Sequence, residues 1–449
     1  MKKSLISIML VCAMLLSLIG CSADSKDGDG NSQDQSEVTE DGEEKIELTI
    51  SHNWVEGTKG NGYIWEFIKQ YEKENPNIKI TTQALGHDDY EVKIATGIAA
   101  GDVADIFEFK GGMLVNVDRN NLAVPLNEIL EEDTEWADSF RDGMFNDMTT
   151  ADGDILGFPV EFAVTTVLYY NQEILKEAGY DAPPEEWNDF LKMCDKLNEK
   201  GYTPVAFGNA AGWPVESDMF SKYANNMTGT DWFWDIKYGK GGSFTDQEFI
   251  DALNMLKEAT DRKMFNEDIN TLEYSLGQQL YFDGKAAMLM DGSYAIRNIL
   301  DGASKEIQDA TQVSFFPYDK DGKGEAKAVC GGCGWGVGIN SKLEGKKREA
   351  AIDFCKRYFG PETAATKLEW GMFPAGKVDD YSKADPLQQR YLETIVDNYT
   401  DLAQCYSVHL PTNLINVFYN GLQDFMAGNL SAEDYAKEIQ AEYERTELK

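Results

Sequence analysis

The chain has 449 residues, of which 78 are acidic and 41 are lysine or arginine, so its formal net charge is −37. This acidity excludes a nucleic-acid-binding protein, because phosphates require a basic surface. It also disfavours anionic solutes and keeps an exported protein soluble. The length is sufficient for two domains with substantial cores.

The N-terminus has the order of an export signal. Two lysines, Lys2 and Lys3, precede an apolar run over 5–18, which is shorter than the roughly 20 residues of a spanning helix. The sequence Leu-Ile-Gly-Cys ending at Cys21 resembles a bacterial lipobox, in which the cysteine is acylated. We therefore predict a lipoprotein signal peptide over 1–20 and a lipid anchor on Cys21 at the extracytoplasmic face of the cell membrane. An ordinary secretory signal with an incidental cysteine is the alternative.

Residues 21–45 are predicted to form a disordered acidic tether. Between 22 and 44 the chain has nine acids, one base and no aromatic residue. Such a segment cannot bury enough apolar surface to offset the entropy lost on ordering.

The folded part begins with alternating strands and helices. Apolar residues alternate in the segment 46–54, which predicts a strand, and the next apolar residues fall on one face of a helix that ends before Pro76. A second strand begins near residue 77, a helix is predicted over 88–100, and a third strand follows Gly101. This alternation predicts βαβ units, a parallel sheet and the α/β fold class.

The cysteines do not indicate a metal or redox site. Five remain after Cys12 and Cys21, an odd number, so at least one is free or pairs between chains. The pair Cys330 and Cys333 has CxxC spacing, but no second CxxC occurs and the chain has three histidines. Small residues in a glycine-rich strand are the favoured interpretation, and we expect no metal and no cofactor.

Several stretches, in order, are similar to the extracellular solute-binding proteins of carbohydrate ABC importers, the family that includes maltodextrin-binding proteins. These are residues 74–80, 99–109, 120–130, 151–197, 282–295 and 328–358. The resemblance covers essentially residues 46–449. The family's usual loop proline is Ala104 here, and its common tryptophan after Asp-Gly-Ser is Tyr294, which leaves subsite identity open.

The resemblance implies a two-lobed periplasmic-binding-protein-like fold, each lobe a mostly parallel sheet flanked by helices. Lobe one is expected over 46–127 and 314–352, and lobe two over 128–313 and 353–449. In open α/β sheets a ligand lies outside the carboxyl ends of the strands, which here means the cleft between the lobes.

Sugar binding needs flat aromatic faces for C–H surfaces and polar groups for hydroxyls. We therefore look for aromatic and acidic residues where predicted strands run into loops. Trp232 is included from a segment predicted to be an aromatic-rich loop. The ligand-binding candidates are Trp54, Glu56, Glu108, Glu161, Phe162, Trp213, Trp232, Asp291, Tyr294, Trp335 and Trp370. Trp65, Trp136 and Trp187 are expected in the core and are left out.

By this resemblance the protein is a monomeric, non-enzymatic component of an ABC importer that delivers a mono- or oligosaccharide to the permease subunits. A secreted glycoside hydrolase is the alternative from another class, and a binding protein for a non-sugar solute is a third. A hydrolase needs two carboxyl groups at defined separation, and 78 acids always supply candidate pairs. No nucleophile elbow, P-loop or HExxH motif favours catalysis.

Overall fold

A computed structural model describes residues 45–57 and 62–446. The predicted signal peptide, Cys21 and nearly all of the predicted tether lie outside these residues. Within the two described ranges no helix has the length and apolar character needed to cross a membrane. The described residues from 46 onwards form one compact unit.

Twelve strands in the described ranges form three sheets. The strands are β1 (Ile46–His52), β2 (Ile78–Ala84), β3 (Ile106–Lys110), β4 (Phe158–Pro159), β5 (Ala163–Val164), β6 (Val167–Asn171), β7 (Thr203–Ala206), β8 (Ala286–Asp291), β9 (Thr311–Ser314), β10 (Ala328–Gly332), β11 (Trp335–Ile339) and β12 (Asp401–Ala403). The first sheet has the order β2-β1-β3-β11-β4, the second β7-β8-β6-β9 and the third β12-β10-β5.

Helices cover the sheets on both sides. They are α1 (Tyr63–Glu74), α2 (His87–Ala100), α3 (Leu114–Arg119), α4 (Asn127–Glu132), α5 (Thr134–Ala137), α6 (Gln172–Glu177), α7 (Trp187–Glu199), α8 (Trp213–Val215), α9 (Ser221–Thr228), α10 (Thr230–Lys237), α11 (Gln247–Asp261), α12 (Tyr274–Phe282), α13 (Ala295–Gly302), α14 (Lys305–Ala310), α15 (Gly345–Phe359), α16 (Pro361–Glu369), α17 (Pro386–Tyr391), α18 (Tyr406–His409), α19 (Thr412–Met426) and α20 (Ala432–Tyr443).

The N-terminal elements follow the predicted pattern. In β1 the apolar residues Ile46, Leu48 and Ile50 are buried. Helix α2 ends at Gly101, whose φ of 68° is in the left-handed region that glycine adopts without strain. The predicted α/β class is therefore confirmed.

The sheets are mixed rather than mostly parallel. In the first sheet β1 is parallel to β2 and β3, whereas β11 is antiparallel to both β3 and β4. In the second, β7 is parallel to β8, but β6 is antiparallel to β8 and β9. Strand β11, which comes late in the sequence, therefore runs against the three strands of the first βαβ units.

Both faces of each large sheet are covered by apolar side chains. In β6, Val167 and Tyr169 join one core cluster, while Leu168 and Tyr170 join another. Phe107 and Phe109 of β3 pack in a third cluster with α2. Alternate residues therefore face different layers, as expected for strands buried on both sides.

Two local predictions differ from the structure. Trp232 lies in helix α10 rather than in a loop, because the apolar face of this helix packs into the core through Phe233 and Ile236. Glu108 lies within β3 rather than after it. The predicted core positions of Trp136 and Trp187 are confirmed, with 9% and 1% exposure, whereas Trp65 is half-buried and packs against the core from outside it. The lobe boundaries stay a prediction. Strand β4, which is expected in lobe two, pairs with β11 in the first sheet.

Candidate ligand-binding site

The candidate residues lie where strands of the first two sheets end. Trp54 follows β1, Asp291 ends β8, and Trp335 begins the antiparallel strand β11. Because β11 runs opposite to β3, its first residue pairs with Lys110 at the carboxyl end of β3. The strand ends therefore bring together residues distant in the sequence.

Trp54 is held in an aromatic cluster beside β1. Its ring stacks on His52 with centroids 5.0 Å apart and lies 5.8 Å from the ring of Tyr358. The Trp65 indole N–H donates to the Trp54 carbonyl oxygen at 3.0 Å. Trp54 is only 2% exposed, so its ring lines the site but offers little free surface for stacking against a ligand.

Glu108 is a buried carboxylate at this end of the first sheet. It accepts the backbone N–H of Asn53 at 2.8 Å. The pKa of Glu108 is raised to about 8, chiefly by burial and in smaller part by the charge of Glu161, while hydrogen bonds from Asn53 and Trp54 oppose the shift. Desolvation therefore changes the pKa of Glu108 more than the hydrogen bonds to its carboxylate do.

Glu161 and Lys367 form the second part of this group. The backbone of Glu161 forms an isolated antiparallel β-bridge with Pro374. Pro374 follows helix α16, and Lys367 lies on that helix. Burial raises the pKa of Glu161 to about 7, with Lys367 opposing the shift. Burial lowers the pKa of Lys367 to about 7, with Glu161 opposing that shift. The Lys367 ammonium donates to the Tyr358 carbonyl oxygen at 2.5 Å.

Half-buried aromatic rings border these charged groups. Trp370 follows α16 and lies 5.9 Å from the ring of Tyr63, which stacks on Tyr358 at 6.1 Å. We define Trp54, Glu108, Glu161, Lys367, Tyr358, Tyr63 and Trp370 as the first cluster. It combines aromatic faces with buried hydrogen-bonding groups.

Asp291 is the centre of a second cluster, at the end of β8. The Tyr274 hydroxyl lies 2.9 and 3.0 Å from its two carboxylate oxygens, and Gln278 and the Gly292 N–H donate at 2.9 and 2.7 Å. Burial raises the pKa of Asp291 to about 7, and these donors oppose the shift.

Asp218 lies beside Asp291. The Tyr294 hydroxyl donates to Asp218 Oδ1 at 2.5 Å. Burial, followed by the charge of Asp291, raises the pKa of Asp218 well above its usual range. Asp218 belongs to a π-helical turn, Glu216–Phe220, a backbone form often found at functional sites.

Three aromatic residues connect the two sheets across the site. The His87 ring lies 5.4 Å from Trp335 and 6.1 Å from Trp213, and the Trp213 ring lies 4.9 Å from Tyr274. Trp213, Tyr274 and Tyr294 are half-buried. We define Asp218, Asp291, Tyr274, Gln278, Tyr294 and Trp213 as the second cluster, which His87 links to the first sheet.

Besides Trp335, which contacts His87 between the two sheets, three candidates lie outside both clusters. Glu56 is exposed in the turn after β1. Phe162 is 3% exposed, with the Arg141 guanidinium 5.8 Å from its ring centroid. Trp232 stacks on Phe249 at 5.5 Å and donates to Asp246 at 2.9 Å. Their roles in binding stay predictions.

Several site residues were not found from the sequence. They are Tyr63 at the start of α1, His87, Asp218, Tyr274, Gln278, Tyr358 and Lys367. His87 directly follows a loop after β2, a position that the strand-end search could have included. The others lie in helical turns or in the helices α1, α12, α15 and α16, where ordinary helix periodicity gives no sign of the site.

The cysteines of the described residues are all free and buried. Within residues 45–57 and 62–446, no group of three or more His, Cys, Asp or Glu side chains is arranged to hold a metal ion. The site presents aromatic faces, carboxyl groups and two lysines, Lys110 and Lys367.

Known proteins resemble this chain over most of its length. The family model described as bacterial extracellular solute-binding protein matches residues 56–365. An uncharacterized ABC transporter extracellular-binding protein of Pyrococcus horikoshii is 24% identical over 311 residues, 66% of this chain and 65% of that protein. The chain thus spans slightly less than two thirds of that relative.

A second relative and a solved structure extend the likeness. The sn-glycerol-3-phosphate-binding periplasmic protein of Escherichia coli K12 is 26% identical over 333 residues, 67% of each chain. The structure of a chitin oligosaccharide binding protein superposes with a TM-score of 0.80 at 24% identity, covering 89% of this chain and 98% of that one. This likeness supports the two-lobed fold.

Proposed function

This chain belongs to the bacterial extracellular solute-binding protein family, and from that membership we propose that it captures a sugar or oligosaccharide for an ABC importer. The two lobes would enclose the ligand, and the permease subunits would receive it. The observation that carries the sugar class is the pairing of half-buried aromatic rings with buried carboxylates at the strand ends. Aromatic faces suit sugar C–H surfaces, and carboxylates accept from hydroxyls.

The charge of the site argues against an anionic ligand such as the sn-glycerol 3-phosphate named for the relative. Glu108, Glu216, Asp218 and Asp291 are all at most 1% exposed. Close to them the site has two lysines, and Lys110 is already paired with Glu91 at 3.3 Å. A phosphate would lose its hydration in a region that is rich in carboxyl groups and offers little positive charge in return.

A glycoside hydrolase is the alternative from another class. The family and the named relatives are binding proteins, and we infer that the carboxylates of this site bind without turnover. Incubating the protein with oligosaccharides and analysing the products by chromatography distinguishes the two functions. Product formation at rates typical of enzymes would contradict the binding role.

Anchoring through Cys21 is part of this proposal. The supporting observation is the order of basic residues, apolar run, glycine and cysteine in 1–21. In a native host, Cys21→Ala should abolish acylation and release the protein from membranes. A wild-type protein whose mature N-terminus lies upstream of Cys21 would contradict the anchor.

Thermal unfolding with a ligand panel tests the proposed function directly. The panel contains mono- and oligosaccharides, with sn-glycerol 3-phosphate and a short peptide as non-sugar arms. A ligand at a hundred times its Kd should stabilise the protein by about 2.7 kcal/mol. We expect such a shift from at least one saccharide and none from the phosphate. Tight binding of a non-sugar arm with no saccharide response would overturn the assignment.

A further inference from the structure

The turn Glu216–Phe220 contains two carboxylate oxygens with no hydrogen-bond partner. They are Glu216 Oε2 and Asp218 Oδ2, and within the described residues no other buried carboxylate oxygen lacks a partner. Both side chains are fully buried. A buried acceptor left unpaired is unfavourable, and this turn holds two such oxygens.

Asp218 and Asp291 differ in how well they are satisfied. Asp291 accepts from Tyr274, Gln278 and the Gly292 N–H. Asp218 accepts from the Tyr294 hydroxyl on Oδ1, and the Ser217 hydroxyl also lowers its pKa, but the charged groups that act on it most strongly are two further acids, Asp291 and Glu216. The second cluster therefore concentrates buried carboxyl groups without a cation of its own.

A cation is present nearby, but it has another partner. The positive charge of Lys110 lowers the pKa of Glu216. The Lys110 ammonium nevertheless lies 3.3 Å from both carboxylate oxygens of Glu91, on the first-sheet side. This pair leaves the carboxyls of Asp218 and Asp291 without a neutralising group from the described part of the chain.

Half-buried aromatic rings surround these carboxyls. Trp213 lies 4.9 Å from Tyr274, and the hydroxyls of Tyr274 and Tyr294 donate to Asp291 and Asp218. Aromatic faces accept sugar C–H surfaces and also attract cations. These aromatic residues can therefore contact a sugar ring that carries a positive charge.

We propose that the second cluster binds the protonated amino group of an amino sugar. An ammonium brings positive charge and three hydrogen-bond donors, enough for Asp218 Oδ2 and its neighbours, whereas a hydroxyl brings one donor and no charge. This inference rests on the proposed function of the same cleft and names the ligand class within it.

The test uses three trisaccharides with the same β-1,4-linked backbone: glucose, N-acetylglucosamine and glucosamine units. They differ at C2 in hydroxyl, acetamide or amine. Calorimetric titration at pH 6 should give a Kd at least tenfold lower for the glucosamine compound. Raising the pH until the amine is neutral should remove this preference in the wild-type protein, while the ratio of the two Kd values for the hydroxyl and acetamide compounds stays nearly constant.

Asp218→Asn should weaken binding of the amino compound more than binding of the neutral ones. Asp231→Asn, at an exposed position in α10, is the matched control and should leave the ratio unchanged. If Asp218→Asn does not fold, the wild-type pH series decides alone.

Equal affinities for the three trisaccharides at pH 6 would overturn this inference while leaving the proposed function intact. Failure of every saccharide to bind would instead reject the proposed function. A thermal shift with Ca²⁺ alone as large as that with the amine would also overturn it.

Discussion

Glu108, Glu161 and Lys367 are three ionisable side chains in one desolvated region. Glu108 and Glu161 raise the energy of each other's charged form, and Lys367 offsets the charge of Glu161. With pKa values near neutrality, this region changes charge around pH 7. Its contribution to stability and binding should therefore depend on pH.

Glu108 should make the folded protein less stable at high pH. Its pKa is raised to about 8 in the folded state, so the contribution of the neutral carboxyl is complete below the unfolded value and is lost as pH rises through 8. Glu108→Gln should reduce the fall in unfolding free energy between pH 5 and pH 9 by at least about 1 kcal/mol. Urea unfolding at both pH values measures this.

The matched control for Glu108 is Glu47→Gln, an exposed glutamate on β1, which should leave the pH dependence unchanged. An identical pH dependence in wild type and Glu108→Gln would show that the buried carboxyl does not titrate in this range.

Trp335 and Glu161 should affect binding in different ways. The Trp335 ring is half-buried beside His87 and Lys110, so Trp335→Ala should weaken all bound saccharides by roughly tenfold through lost aromatic contact. Glu161→Gln replaces an acceptor by an amide and should change the ranking between sugar epimers, since a mispaired buried group costs about 1–3 kcal/mol.

Calorimetric titration of both variants with a set of epimers separates these effects. Trp232→Ala is the comparison, because the Trp232 ring packs on Phe249 and Phe244, and it should change the affinities less than Trp335→Ala. Wild-type affinities in both Trp335→Ala and Glu161→Gln would place the site elsewhere.

At the scale of elements, α12 is positioned against the end of β7 by two glycines. A Cβ on Gly277 would lie 2.3 Å from the backbone nitrogen of Gly208, and a Cβ on Gly208 would lie 2.3 Å from the carbonyl oxygen of Glu273. This close approach places Tyr274 and Gln278, both on α12, against Asp291.

Gly277→Ala should move α12 away from the sheet. Overpacking of this kind costs about 1–3 kcal/mol, which outweighs the gain of roughly 1 kcal/mol from better helix propensity. We expect lower thermal stability and weaker ligand binding together. Ser275→Ala, at an exposed position of α12, should change neither. Gly277→Ala with equal or higher stability would contradict the tight approach.

At the scale of the whole molecule, the binding groups come from two sheets. Glu108 and Trp335 belong to the first sheet, and Asp291 ends a strand of the second. Neither sheet alone presents both clusters. Ligand should therefore favour an arrangement in which both sets of groups touch it.

Small-angle scattering with and without a saturating saccharide measures this change. We expect the radius of gyration to fall on ligand binding through a hinge motion between lobes. A saccharide that gives no thermal shift is the control and should leave the radius unchanged. An unchanged radius at saturation with the best ligand would argue against closure.

Local patterns in the sequence determined the first βαβ units, since the burial of Ile46, Leu48 and Ile50 follows from their alternation. The ordered family-like stretches also predicted the α/β class and acidic and aromatic residues at strand ends, among them Trp335 and Asp291. These features depend on neighbouring residues and on order along the chain, which a single sequence contains.

Only the tertiary structure decided which distant residues meet. The antiparallel pairing of β11 with β3, the approach of Lys367 to Glu161, and the position of Asp218 beside Asp291 join segments far apart in the chain. Helical periodicity at Trp232 or Lys367 is the same for a binding residue and a packing residue, so it carries no signal of the site. The buried charges acquire their shifted pKa values only when folding removes water from around them.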